Sequence, residues 1–485
     1  MVSTERPDSP AAAFDWPLCY EAEKRVGGFV AAFLARNGFA RRLAERMRDE
    51  TGTEFFEWVD HLVLAPEHEA ALRAAGFVDE KVDAPPGTAV LWHPRAMMPR
   101  VLLCRAGSPD PAVAGKSPNP AGSGDPALHD MPSTVAIRPE VLADFIAAHD
   151  LGAPIEGAFG ARLRRAKIAE GNGCALIAVE RLGSRGFVVR EPSGDFVRSV
   201  LQARELWRTR RRDFPDDADG VRHAFERLDA VLRLVDRDAA CELFFAEERM
   251  FWEARNRAAQ VQKRRQDRLG LGWGNHDHHT FRCSRAYFAD LMAFLARLGF
   301  HKRERYYAGA EAGWGAQISE QPVAGIVVFA DVDLMPEETA IDFSSQRMPR
   351  AAQLRTVGLW CGLHGDSFLQ AGMHHLEARF DFARLRDQLA QQGVNTMKPF
   401  SDFEFLRQAF TEGERWRVAP HRVQALLADG RITREQADGF LRDGAIGSHL
   451  ENLQRKGGFK GFNQKSVSAI IAATDPRKVQ AGHAM

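Results

Sequence analysis

Cysteine is sparse in this 485-residue chain, and none of it is paired as Cys-x-x-Cys. The six cysteines, at positions 19, 104, 174, 241, 283 and 361, are scattered. That scatter argues against a zinc-thiolate site or a disulfide framework and for a reducing compartment. Apolar runs of about 18 residues, the length a membrane-spanning helix needs, are also missing. The first residues hold no apolar signal core, so the cytoplasm is the expected location. Net charge is lacking too. Lys plus Arg number 65 and Asp plus Glu number 65, so no global charge invites nucleic acid or a membrane surface. Neither is expected as a partner. The 45% hydrophobic content is that of a globular protein with a proper core, and the length suggests roughly three structural units.

What the chain does have is a pair of similar strand-like runs. Asp277 to Cys283 is short, partly β-branched or aromatic, and ended by Ser284. It reads as a strand. The next residues change period. Phe288, Leu291, Met292, Leu295 and Leu298 form one face of a helix, with Ser284 as its expected N-cap and Gly299 as its stop. Three more strand-like runs follow, around Tyr306, around Ile318, and from Gly325 to Leu334. On the first strand His278 and Arg282 are four apart, so they project from one face, about 13 Å apart along it. One is suited to a metal and the other to a carboxylate. The same His-x-x-x-Arg spacing returns at His375 and Arg379, again after a glycine-bearing loop and before a helical stripe. Either histidine alone reads as an ordinary core or surface residue. The repeated context is what favours a ligand role for both.

The same unit, in degenerate form, is legible earlier. Residues 1–54 form a helical segment. Within 55–195 the runs Phe55–Leu64, Thr88–Trp92 and Arg100–Cys104 read as strands, with a helix at Glu67–Phe77. A Pro-, Gly- and Ser-rich stretch, Ala106–Pro132, reads as a linker or long loop. Strands are then expected at Ser133–Arg138, within Ala158–Glu180 and at Gly186–Arg190, with a helix at Pro139–Asp150. His61 sits where a ligand histidine belongs but lacks the following arginine, and the second unit opens without histidine, so this pair is expected to hold no metal. Residues 196–270 read as a charged helical connector. Its basic run Arg208–Arg212 is expected to be a solvated helix face. Residues 271–480 hold the two His-x-x-x-Arg units, with a two-helix insertion at 420–444 around Gly430. Gly447–Lys456 is the last strand-like run, and a helix is expected near Lys465–Ala473.

Four stretches resemble one known family. DHHTFRCSR followed by LGFHKRERYYAG, then MHHLEARF, HLENLQRKG and GFKGFNQKSVSAIIAATD, are similar to the metal strands and closing helix of the 2-oxoadipate dioxygenase/decarboxylase family, within the vicinal oxygen chelate superfamily. The last two also resemble 4-hydroxyphenylpyruvate dioxygenase; the arginine at Arg282 favours the first family. The resemblance covers roughly 270–478. It departs from the pattern in the large N-terminal half and in HHLEAR, where an Asn-His pair is usual.

The resemblance implies an α+β fold of the vicinal oxygen chelate type, with four βαβββ-like units in two pairs and helical additions. By position it makes His278, His375 and Glu451 a two-histidine, one-carboxylate set suited to Fe(II). It makes Arg282 the anchor for a substrate carboxylate, with Arg379 either a second anchor or a brace for its strand. The implied activity is oxidative decarboxylation of a 2-oxo acid by O2, giving a 2-hydroxy diacid if the substrate is like 2-oxoadipate. The rival readings are an oxygenase like 4-hydroxyphenylpyruvate dioxygenase, a glyoxalase-type isomerase or lyase using a non-redox metal, and a small-molecule binding protein. The presence of all three ligand residues speaks against the last.

Overall fold

The computed structural model describes residues 16–104, 132–274, 277–309, 312–373, 376–462 and 474–477. Two helices, α1 (Tyr20–Arg36) and α2 (Gly38–Arg46), open the chain. The first unit is β1 (Val59–Leu64), α3 (Glu69–Ala74), β2 (Val78–Asp79), β3 (Thr88–Trp92) and β4 (Arg100–Cys104). The second is β5 (Thr134–Ile137), α4 (Leu142–Ala148), β6 (Leu163–Gly171) and β7 (Cys174–Arg181). These strands make one seven-stranded sheet in the order β2-β3-β4-β1-β5-β7-β6. Each unit runs outward from its first strand, and the two first strands pair antiparallel at the centre. The second unit is a strand short. A lone bridge between Glu156 and Arg165 is what stands at that edge.

Four connector helices follow: α5 (Gly194–Arg208), α6 (Asp217–Leu232), α7 (Arg237–Glu253) and α8 (Arg257–Asp267). The third unit is β8 (Asp277–Arg282), α9 (Phe288–Arg297), β9 (His301–Tyr307), β10 (Trp314–Gln321) and β11 (Ile326–Asp333). After α10 (Thr356–His364) comes the fourth: β12 (Leu376–Arg379), α11 (Phe382–Gln391), β13 (Ser401–Phe403), β14 (Leu406–Phe410) and β15 (Glu414–Trp416). It continues through the insertion helices α12 (Pro420–Ala428) and α13 (Arg434–Asp443) to β16 (Ala445–Ser448) and β17 (Glu451–Arg455). The eight-stranded sheet has the order β13-β14-β17-β12-β8-β11-β10-β9, and β15 and β16 form a separate ribbon. In both halves of this sheet the first strand lies beside the last of its own unit. This is the α+β fold of paired βαβββ units that the vicinal oxygen chelate resemblance implies.

Alternation along the strands decides what covers each face. On β8, His279 and Phe281 turn toward Phe245 of α7, at ring-centroid distances of 4.8 and 5.9 Å, in a core shared with the connector and α9. His278, Thr280 and Arg282 take the other face. There Val357, Trp360 and Cys361 of α10 pack with Ala316, Ile318 and Val327. The first sheet is covered by α1 to α4 through Phe29, Phe33, Leu72 and Phe145 against Leu62, Val101 and Leu176. Among the described residues no helix is long and apolar enough to cross a membrane.

Several expectations are corrected. Phe55–Trp58 is a 3₁₀ turn, and the strand starts only at Val59. Ser284 is not the cap of α9, which starts after Tyr287; the Ser284 hydroxyl instead bonds Asp366 at 3.0 Å. Gly186–Arg190 is not a strand, because Phe187 and Arg190 bond Asp83 in a loop rather than a sheet edge. Gly447–Lys456 is two strands in two sheets, divided at His449 and Leu450. The Arg208–Arg212 run is no solvated helix face: α5 ends at Arg208, and Arg210 is 6% exposed and paired with Glu248. The helix expected near Lys465–Ala473 lies outside the described residues.

Candidate active site

β8 lies at the middle of the eight-stranded sheet, and pairing sets its register. His278 stands opposite Glu377 of β12, and Glu377 opposite Glu451 of β17. Directly opposed residues share a face. His278 and Glu451 therefore belong to one row across three adjacent strands, with Cα atoms about 10 Å apart at the usual strand spacing. Both are buried, at 5% and 3% exposure. His375 lies outside the described residues. Two of the three predicted ligands are thus placed on one face at one level. Among the described residues no three His, Cys, Asp or Glu side chains converge as a metal set.

Each placed ligand has a polar neighbour. Gln408 of β14 donates from Nε2 to Glu451 Oε1 at 2.7 Å, which orients the carboxylate. The Arg455 Nη2 lies 3.2 Å from His278 Nδ1. A guanidinium only donates, so Nδ1 accepts here and the neutral ring carries its proton on Nε2. Binding a metal through this ring requires it to turn or Arg455 to release it. A buried imidazole and a carboxylate with its own hydrogen-bond donor fit a first-row divalent ion, with Gln408 as the outer partner. Sequence reading missed Gln408 and Arg455. A signal for Arg455 existed: Glu451-x-x-x-Arg455 has the spacing of His278 and Arg282.

Because β12 and β17 run antiparallel to β8, Arg455 and Arg282 stand at opposite ends of this row. Arg282 is 2% exposed. Its Nε lies 3.6 Å from Asp331 Oδ2, its Nη2 is 3.4 Å from Thr474 Oγ1, and the guanidinium sits 5.4 Å from the Trp360 ring centroid. A single strand shows no carboxylate facing this arginine; Asp331 reaches it from β11, in direct register. Nε and Nη1 of Arg282 nonetheless have no hydrogen-bond partner among the described residues. Burial pushes the Asp331 carboxyl up to about 7 in spite of Arg282 beside it. Burial likewise raises Asp333 to about 6 against backbone donors at Gly358, Arg355 and Val357. Arg379 occupies the β12 position paired with Leu453.

A cavity of about 410 Å³ opens beside His278, between the two sheets. The first half lines it with Asp60, Arg100, Arg138, Arg181 and Arg185, and the second with Arg303, Glu320 and Lys460, where Glu320 faces both Arg303 and Lys460. Arg181 is saturated, with Asp60 at 2.7 and 2.8 Å and the Gly186 carbonyl at 2.6 Å. Arg100 and Arg185 share one carboxylate, Glu80. With Glu242 on Arg138 and Glu304 on Arg303, the surplus is the one positive charge that Arg100 and Arg185 keep beyond Glu80, and the size suits a small acid. His61 faces away into structure of its own. Its Nδ1 bonds Asp60 at 2.6 Å and its ring packs edge-on against Phe187 at 5.0 Å. Burial keeps its pKa below the usual histidine range.

No family model matches the chain, and no curated protein matches it. Among solved structures the chain is similar to a putative glyoxalase superfamily protein from Ralstonia eutropha. The identity is 14% and the TM-score 0.31, over 55% of this chain and 97% of that one. It is similar to a mutant of 4-hydroxymandelate synthase from Streptomyces coelicolor at 13% identity and a TM-score of 0.26, over 87% of this chain and 98% of that one. A third is an uncharacterized protein from Shigella flexneri that includes a domain of unknown function. That likeness has 14% identity and a TM-score of 0.20, over 45% of this chain and 68% of that one. At these values the strand order, rather than any one likeness, identifies the architecture.

Proposed function

We propose that this chain is an iron(II)-dependent oxygenase that decarboxylates a 2-oxo acid, with His278, His375 and Glu451 as metal ligands. The observation that carries the reading is the register of β8, β12 and β17, which brings His278 and Glu451 to one level of one buried face. A bound ferrous ion would supply a template for the 2-oxo acid and an electrophile, and the two-electron reduction of O2 that accompanies loss of carbon dioxide. The chain's own residues do the rest. Gln408 holds the Glu451 carboxylate in one orientation. The cationic wall beside His278 favours an acid over a neutral ligand. Arg282, buried with two donor nitrogens unbonded, is suited to a carboxylate through paired charge-assisted bonds, and Arg379 to the same or to bracing β12.

The test is anaerobic loading with iron(II), followed by oxygen uptake across a panel of 2-oxo acids. One iron per chain and uptake with a 2-oxo acid are expected. Glu451→Ala and His278→Ala are expected to lose the iron while keeping the wild-type circular dichroism, because both line a site rather than an apolar core. Stoichiometric iron and full uptake in either variant would remove that residue from the ligand set. A flat oxygen trace with every acid would sink the oxygenase reading.

A further inference from the structure

The basic run at Arg208–Arg212 has no part in the chemistry above, yet it leads into a second cavity. This cavity, of about 300 Å³, lies between the connector helices and the insertion. Arg212 and Arg255 line it from the connector, and Arg417 and Arg422 from the approach to α12 and its first turn. Asp213 is the one acidic residue in the lining. The arginines' partners are few. Arg212 reaches Glu248 at 2.5 and 3.2 Å, but that carboxylate also serves Arg210 at 2.8 Å. Arg422 donates to Asp217 at 2.7 Å. Arg255 donates to the Ala371 carbonyl at 2.9 Å and lies 3.8 Å from the Trp416 ring centroid and 5.1 Å from that of Phe251. Neither Arg255 nor Arg417 has a carboxylate partner among the described residues. Five arginines, counting Arg210, therefore face three carboxylates, and two positive charges stay unmatched.

Of the two, Arg417 is exposed and Arg255 is half-buried against Trp416 and Phe251, so Arg255 is the charge that gains most from a compensating anion. Burial, with Arg212 nearby, lowers Arg255 to about 10, which is the mark of a cation short of counter-charge. The first turn of α12 also faces the cavity through Ala419, His421 and Arg422, and no side chain caps it. Pro420 brings no N–H and the Arg422 and Val423 amides donate to the Ala419 carbonyl, so what this turn gives the cavity is the Arg422 side chain.

We infer that this cavity binds a phosphate-class dianion, which bridges the connector to the insertion through Arg212, Arg255, Arg417 and Arg422. A dianion matches the surplus of two charges, and guanidinium forks match the geometry of phosphate oxygens. A monocarboxylate or chloride neutralises only half of the surplus. The site is separate from the His278 cavity and does not depend on the proposed chemistry.

The experiment is calorimetric titration of the full-length, metal-free protein with inorganic phosphate, with chloride and acetate at matched ionic strength as comparators. Saturable phosphate binding is expected, stronger than either comparator, with a saturable rise in Tm. Arg255→Gln is expected to weaken it at least about tenfold, the worth of one charge-assisted pair. Since Arg255 also stacks on Trp416, its variant could lose the fold. Arg417 is exposed and pairs with no carboxylate among the described residues, so Arg417→Gln keeps the fold and is expected to weaken phosphate about as much. Phosphate binding no tighter than chloride or acetate overturns the inference. So does binding that survives in a folded Arg417→Gln, or that is lost in Arg185→Gln instead, which would put the anion beside His278.

Discussion

Arg282 and Asp331 face each other across β8 and β11 with almost no exposure, but they touch loosely, at 3.6 Å. Two roles follow for Arg282, and they separate experimentally. As a carboxylate anchor, it loses its planar fork in Arg282→Lys while keeping its charge. The expected cost is on the order of 2–5 kcal/mol in kcat/KM for diacid substrates, with iron still bound and monoacids less affected. As a brace for Asp331, the same variant would lower Tm and affect monoacids and diacids alike. Asp331 itself makes a pH prediction. Burial pushes its carboxyl up to about 7 in the folded chain, against about 4 for an unfolded aspartate. The folded state thus holds this proton more tightly. That contribution to stability is complete below about pH 4 and is lost as pH rises through about 7. Tm is expected to fall less between pH 5 and 8 in Asp331→Asn than in the wild type. An unchanged slope would mean that Asp331 is ionised throughout. The His278 and Arg282 positions were legible from the four-residue spacing on a strand-like run, whereas Glu451 was singled out only by the family resemblance. Asp331, Gln408 and Arg455 were not assigned, because their roles depend on which strand lies next to which.

At the scale of elements, the insertion and its ribbon show how narrowly a glycine can be required. A Cβ on Gly447 of β16 would lie 2.0 Å from the Trp416 ring. Trp416 is held by its Nε1 bond to the Arg255 carbonyl at 3.0 Å, so it has little freedom to retreat. Gly447→Ala is expected to cost about 1–3 kcal/mol by overpacking. Gly439, inside α13 with open space around it, makes the contrast: Gly439→Ala should gain about 0.5–1 kcal/mol from helix propensity. Urea denaturation of the two variants checks both signs, and a neutral Gly447→Ala would show that the ribbon shifts freely. The elements themselves were largely legible. Thr88–Trp92, Arg100–Cys104 and the α9 stripe of Phe288, Leu291, Met292 and Leu295 stand where the periodicity puts them. Gly186–Arg190 failed because Phe187 is buried in a loop, and a buried apolar residue in a loop looks like part of a strand from its neighbours alone.

At the scale of the molecule, the halves interlock rather than merely abut. The Trp16 indole donates to Glu304 at 3.0 Å, and the amides of Cys19 and Met97 donate to the carbonyls of Gly457 and Gly458, each at 2.8 Å. Behind them, Trp58 Nε1 donates to the Leu271 carbonyl at 3.2 Å, and Gln262 to that of Thr51 at 3.1 Å. A single calorimetric unfolding transition is expected for the full chain. Two resolved peaks would mean that the sheets unfold independently.

The sequence by itself determined the kinds of element and their repetition, since period and turn residues are local properties. It also carried the repeated His-x-x-x-Arg spacing, while the role of the glutamate run came from the family resemblance. Only the tertiary structure decided the neighbours. The antiparallel join of β8 and β12 puts Arg282 at one end of the ligand row and Arg455 at the other. The placement of the first sheet against the second makes a cationic wall from Arg100 and Arg185. The fold of the connector onto the insertion turns a run of basic residues into a cavity. Contacts such as these join residues tens to hundreds of positions apart, and local periodicity carries no information about which distant strand completes a sheet or which distant charge completes a site.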